Sequence, residues 1–321
     1  MEELYLPEGE RLYSAANRAL LSSEEGLERA VREELLVEGL VRLCDSERQL
    51  HVDLGIAKGI LSPEEALYRR PGEAFKEVAL ITRVGKPVTV VIKTLERKEG
   101  ILFARLSRRE AQERCREDLF ARRRPGDLIF AKVTHMEPFG AFLDLGCGLP
   151  ALLPVDAISV SRISHPRDRL SVGETLPVII RSMDRVSGRI TLSLRELLGT
   201  WEENAARFEA GQTVFGILRS VEPYGAFVEL APNLAGLAEL RAFSREELLS
   251  GVGEAVSVYI KSISPERMKV KLVLIDFCKG VKPVREKNFF VDPKVTPHLS
   301  HWLYSPPEAG KVIETAFDDP K

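Results

Sequence analysis

Residues 126–145 and 211–230 align without a gap, and eight of the 20 positions are identical, against about one by chance. The identical pairs are Gly126/Gly211, Phe130/Phe215, Glu137/Glu222, Pro138/Pro223, Gly140/Gly225, Ala141/Ala226, Phe142/Phe227 and Leu145/Leu230. Phe139/Tyr224 keeps an aromatic and Asp144/Glu229 keeps a carboxylate. The second halves also align, Val178-Ile179-Ile180-Arg181-Ser182 with Val258-Tyr259-Ile260-Lys261-Ser262. A fainter copy precedes them. Val52-Asp53-Leu54-Gly55 matches Leu143-Asp144-Leu145-Gly146, and Leu106-Ser107-Arg108-Arg109-Glu110 matches Leu192-Ser193-Leu194-Arg195-Glu196. The repeat predicts an N-terminal helical segment (1–33), modules at 34–107, 125–195 and 209–275, and an irregular, proline-containing tail at 276–321.

Each unit reads as five short strands. Ala141, Leu143 and Leu145 alternate inward, as do Ile190, Leu192 and Leu194, with Asp184 and Gly188 at the turn between the last two strands. Five strands closing around one small core define the OB-fold, so the expected class is mostly β: tandem five-stranded OB-fold barrels joined by short helices. Helices are expected at 108–123, where Ala111, Cys115 and Leu119 share one face, and at 196–209. Ser22-x-x-Glu25 ahead of Leu27, Ala30 and Val31 predicts a capping box for an N-terminal helix.

Composition bounds the function. No apolar run approaches the roughly 18 residues of a membrane span, and the acidic start is no signal peptide. The four cysteines lie far apart, as expected of reduced thiols in a cytoplasmic protein. His298-x-x-His301 lacks a third ligand, and there is no phosphate-binding glycine loop, catalytic triad or paired-carboxylate motif. No enzyme activity, metal or cofactor is expected. The net charge of −2 hides an acidic head (net −6 over residues 1–50) and a basic joint (net +4 over residues 105–125).

The strand pattern turns one set of residues outward. A bulge at Gly140 would bring Phe139 and Phe142 to one side, with Phe142 exposed beside Asp144; Tyr224, Phe227 and Glu229 repeat the arrangement. Phe130, Lys132, Phe215 and Arg219 are expected outward on the first strands, and Arg181 and Lys261 on the fourth. Arg189, Thr191, Ser193, Lys269 and Lys271 are expected outward on the fifth. Arg162, His165 and Arg167 add a basic loop. Aromatics interleaved with cations on one sheet face suit a nucleic-acid strand whose bases stack and whose phosphates pair with the cations.

These residues carry a resemblance. Gly126-Asp127, Phe139-Gly140-Ala141-Phe142, Arg162…His165-Pro166, Val172-Gly173-Glu174 and Asp184…Gly188-Arg189-Ile190-Thr191-Leu192-Ser193 resemble the S1 RNA-binding domain. The join Leu197–Ala205 resembles the inter-repeat linkers of the multi-repeat ribosomal protein S1 family. Tyr5-Leu6-Pro7-Glu8-Gly9 with Cys44-Asp45-Ser46 resembles the short clostridial members. The resemblance implies S1-type barrels that bind single-stranded RNA, with mRNA and the 30S ribosomal subunit as partners. It also implies binding roles for Phe139, Phe142, Asp184 and Arg189 in module two, and for Tyr224, Phe227 and Lys269 in module three. Pro154 and Glu239 stand where the family has a histidine, and Ser264 where it has an acid. In module one Arg48 and His51 replace the aromatics, Ser62 the histidine and Phe103 the basic residue, so that module is expected to be structural or protein-binding. Two other readings stay open: an RNA-presenting subunit of a ribonuclease complex, and a protein-interaction adaptor. The oligomeric state is not legible in the sequence.

Overall fold

A computed structural model describes residues 4–69, 77–239, 243–278, 280–281 and 287–317. It opens with two short helices, α1 (Ala15–Leu21) and α2 (Glu24–Arg32). The cap of α2 is Ser23, whose side chain accepts from the Gly26 N–H at 3.1 Å, and not the expected Ser22. Ser22 instead closes α1, and its hydroxyl donates to the Ala19 carbonyl. The reason lies at Gly26, where an added Cβ would sit 2.5 Å from the Leu20 carbonyl oxygen. The start of α2 is therefore pressed onto the end of α1, which makes two helices where the pattern suggested one.

The first barrel follows: β1 (Leu36–Cys44), β2 (Leu50–Leu54), β3 (Ala57–Leu61), helix α3 (Val78–Ile81), β4 (Pro87–Lys98) and β5 (Ile101–Ser107). Helix α4 (Arg108–Arg122) leads to β6 (Leu128–Glu137), β7 (Gly140–Asp144), β8 (Pro150–Pro154), β9 (Thr175–Asp184) and β10 (Arg189–Ser193). Helix α5 (Trp201–Ala205) precedes β11 (Thr213–Glu222), β12 (Gly225–Ala231), β13 (Leu234–Glu239), α6 (Arg245–Ser250), β14 (Ala255–Ser264) and β15 (Lys269–Phe277). All three sets close into five-stranded barrels in the order first-second-third-fifth-fourth, the third and fifth strands being parallel. This is a mostly β protein of tandem OB-like barrels. The chain forms two compact units, residues 1–124 with 143–151 and 183–189, and residues 125–142 with 152–182 and 190–321.

The alternation read from the sequence is what fills the cores. Ala141, Leu143, Leu145, Ile190, Leu192 and Leu194 are all buried, as are Val228, Val258, Ile260 and Leu272 in the third barrel. Each large aliphatic side chain removed from water contributes about 1.5–3 kcal/mol. Ser193, expected outward, is fully buried; its hydroxyl donates to the Ala157 carbonyl, because the loop after β8 covers that end of β10.

Helix α4 buries Ala111, Cys115 and Leu119 along one face, as its spacing predicts. The 196–209 join is not one helix. A 3₁₀ turn (Arg195–Leu198) ends at Gly199, whose φ is +83°, and Thr200 with Glu203 then caps α5 as a complete capping box. An added Cβ at Gly199 would lie 2.6 Å from the Phe290 ring, so the break lets the chain pass close to that ring.

The tail is more ordered than its prolines suggest. Strand β16 (His301–Leu303) pairs antiparallel with β17 (Glu314–Ala316), and Trp302, Tyr304 and Phe317 are buried. The Tyr304 hydroxyl donates to the Asn233 carbonyl at 2.6 Å. Three-residue strands carry too little pattern to read, and Pro306 and Pro307 fall in the connection between them. Pro283 and Pro320 lie outside the described residues. Among the described residues no helix is long and apolar enough to cross a membrane.

Candidate nucleic-acid interface

The repeated aromatic pair owes its geometry to a tight turn, not to the expected glycine bulge. Pro223 and Tyr224 form a two-residue turn between β11 and β12, with Glu222 opposite Gly225; Pro138 and Phe139 occupy the same turn between β6 and β7. A turn residue is released from strand alternation, so Phe139 can meet Phe142 three positions on. Their ring centroids are 6.1 Å apart with planes at 87°, and Tyr224 and Phe227 repeat this at 6.3 Å and 89°. Phe139 is 57% exposed and Tyr224 67%, while Phe142 and Phe227 are half-buried. The register slip in the third barrel falls at Arg219, between Leu218↔Val228 and Ser220↔Phe227. Gly140 and Gly225 serve a different purpose: a Cβ there would lie 2.6 Å from the Leu153 carbonyl oxygen and 2.8 Å from that of Ala238.

Sequence reading missed a third ring. His135 on β6 stacks on Phe142 at 6.3 Å with planes 22° apart, and its Nε2 lies 2.6 Å from Glu137. The repeat could not point to it, because Ser220 holds the matching position in the other copy.

Two carboxylates expected at the surface are buried. Asp144 is 3% exposed: Oδ1 accepts from the Gly146 and Gly148 N–H groups at 2.8 and 2.9 Å, and Oδ2 from the Glu8 N–H at 2.7 Å. Burial, and then the charge of Glu8, push its carboxyl up to about 7. Glu229 is 4% exposed and takes guanidinium hydrogen bonds from Arg169 and, at 2.7 Å, from Arg219. Arg219 also lies 3.6 Å from Asp168. Its side chain is 10% exposed, so the expected outward phosphate contact is instead part of a buried charge cluster. Parity along a strand gives direction, but other segments decide what covers it.

The remaining expected residues divide by environment. Arg162, Arg167, Arg181, Arg189, Lys269 and Lys271 are exposed, with Phe130 and Phe215 at 40% and 66%. Thr191, Lys132 and His165 are half-buried. The His165 Nδ1 accepts from the Arg167 N–H at 3.1 Å, so this residue shapes its own loop. Lys261 pairs with Glu239 at 3.5 Å. Asp184 accepts from the Val186 and Ser187 N–H groups and from the Ser187 hydroxyl. The Ser187 hydroxyl, then these backbone bonds, hold its carboxyl below the usual range. Strand register sets Phe227, Leu237 and Lys271 in a row across β12, β13 and β15, which places a cation two strands from an aromatic ring.

The first barrel has no such pair at those positions. Arg48 bridges Glu77 at 2.9 Å, the His51 Nε2 lies 2.8 Å from Asp45, and Asp53 is held by Arg42 at 2.8 Å. In the tail, His298 and His301 each bond a carboxylate, Asp127 and Glu314 respectively.

Residues 123–195 match the S1 RNA binding domain family. The chain is 26% identical to the small ribosomal subunit protein bS1 of Chlamydia muridarum over 75% of its length and 39% of that protein's. It is 33% identical to bS1 of Leuconostoc lactis over 48% of this chain and 37% of that one. A multidomain protein with nucleic acid binding domains from Streptococcus pneumoniae covers 76% of this chain and 74% of its own, at 15% identity and a TM-score of 0.23. The second barrel is an S1 domain. The chain therefore contains an S1 domain and is similar to bS1, and it spans about two fifths of the length of the Chlamydia relative it matches.

Proposed function

We propose that this chain binds single-stranded RNA through its second and third barrels, by stacking bases on the Phe139–Phe142 and Tyr224–Phe227 pairs. The observation that carries the reading is their repetition. Two barrels present the same edge-to-face pair in the same hairpin turn, each with its leading ring more than half exposed. A ring needed only for packing would not be held out twice. Stacking is tolerant of sequence because every base has a π-face, and it is worth about 1–3 kcal/mol per base. The exposed Arg162, Arg181, Arg189, Lys269 and Lys271 supply phosphate contacts, and the turn made by Asp184 leads directly into Arg189. The first barrel, whose matching positions are engaged in ion pairs, serves as a structural or protein-binding module. The similarity to bS1 extends the proposal to mRNA and the 30S subunit as partners in the cytoplasm, acting in translation by binding, without catalysis.

Two measurements test this. Anisotropy titration of the full chain with a short oligouridine should show affinity falling with salt, with a logarithmic slope of about 0.7 per phosphate neutralised. Sucrose-gradient sedimentation should place the chain with 30S particles. Salt-independent or absent RNA binding would defeat the reading; co-migration with a nuclease instead of 30S would move the role to RNA presentation.

A further inference from the structure

The loop that joins β8 to β9 of the second barrel is fastened at two points to the third barrel. At its first point the Ser161 N–H donates to the Pro232 carbonyl at 3.2 Å, and the Val160 N–H donates to the Asn233 side-chain oxygen at 2.9 Å. Asn233 is fully buried, and its amide donates in turn to the Arg195 and Gly199 carbonyls, both at 2.7 Å. At the second point, eight residues on, Arg169 reaches Glu229; the two side chains are 5% and 4% exposed. The span between these fastenings, Arg162 to Asp168, is held against the face that carries the third barrel's aromatic pair. Arg162, Ile163 and Ser164 form one wall of a cleft of about 690 Å³, and Tyr224 and Phe227 line it from the other side. That volume lies within the range of about 300–1,000 Å³ usual for ligand sites.

We propose that the third barrel does not present an autonomous binding face. Its stacking pair is one wall of a composite groove whose other wall is the preceding barrel's loop, and the occupant is a short stretch of single-stranded nucleic acid. Bases stack on Tyr224 and Phe227, and the exposed Arg162, which forms no ion pair among the described residues, takes the phosphate between them. Arg169, through Glu229, and Arg219, through Asp168 at 3.6 Å, are positioning residues that clamp the loop beside the rings. The inference rests on the RNA reading above and adds that Arg162, on one barrel, serves the rings of the next.

The test uses the full chain with a roughly 12-nucleotide fluorescent oligouridine, read by anisotropy at two salt concentrations. Phe139→Ala/Phe142→Ala forms the background, so that the third barrel reports. In it, Arg162→Ala should weaken binding by roughly three- to tenfold and lower the salt slope by about 0.7, with the melting temperature unchanged. Tyr224→Ala/Phe227→Ala should weaken binding at least about tenfold. The two changes together should cost less than the product of their separate effects, because they act on one bound segment. If Arg162→Ala leaves affinity and slope untouched while the aromatic variant weakens binding, the composite groove is overturned and the RNA reading stands. If the unmodified chain does not bind, the RNA reading falls and takes this inference with it.

Discussion

The Oδ2 atom of Asp144 accepts the backbone N–H of Glu8 at 2.7 Å, joining positions 136 residues apart. The Glu8 side chain meanwhile forms a bidentate pair with the fully buried Arg108, at 2.6 and 3.0 Å, and lies 3.2 Å from Arg83. A carboxyl at the end of a barrel strand is thereby sealed beneath the N-terminal segment, among two arginines and a second acid.

This burial makes stability depend on pH. The Asp144 carboxyl is raised to about 7 in the folded chain, whereas an unfolded aspartate titrates near 3.9. Between about pH 4 and 7 the folded state holds a proton that the unfolded state releases, so stability is lost as pH rises through that window. A rise of that size corresponds to at most about 4 kcal/mol. Glu38, also raised chiefly by burial, acts in the same direction. The contribution of Asp144 should appear as a higher melting temperature at pH 5.5 than at 7.5, and Asp144→Asn should shrink that difference. An unchanged difference in the variant would refute the assignment.

The Glu229 cluster predicts a larger static effect. Its carboxylate serves both Arg169 and Arg219, and Glu229→Gln removes the charge while leaving two guanidinium groups buried. Breaking a buried pair in this way costs about 3–5 kcal/mol. Urea denaturation of the two proteins side by side measures it, and a loss below about 1 kcal/mol would show that the cluster is readily rehydrated.

Removal of the second barrel's rings should be felt in binding. Phe139→Ala/Phe142→Ala is expected to weaken single-strand binding by about 2–5 kcal/mol. Phe139→Ala alone isolates stacking from packing, since Phe139 is the more exposed ring. An affinity within about twofold of the parent, with the fold intact by circular dichroism, would show that the pair does not stack on bases.

Ultraviolet crosslinking of 4-thiouridine RNA to the full chain should label the second and third barrels and spare residues 34–107. Arg48 and His51 stand where the other copies have rings, and both are engaged by acids. Crosslinks to the first barrel as frequent as those near Phe139 or Tyr224 would refute its non-binding role.

The repeat alone determined that there are barrels, which residues fill them and where the aromatic pair sits. Alternation is a local property of a strand, and a unit seen twice in register separates pattern from accident. Phe139, Phe142, Tyr224 and Phe227 were legible for that reason, and so was Asp184, whose bonds run to its own turn. Asp144, Glu229, Arg219 and Ser193 point outward by the same alternation and yet lie inside. What covers them comes from Glu8, Arg169 and the loop after β8, at separations no local pattern spans. His135 and the buried Trp302 occur without a repeated counterpart or a readable period, so only the folded chain shows what they touch. Burial of a charge is settled by the sum of distant desolvation and pairing terms, and those exist only once the tertiary structure has brought the partners together.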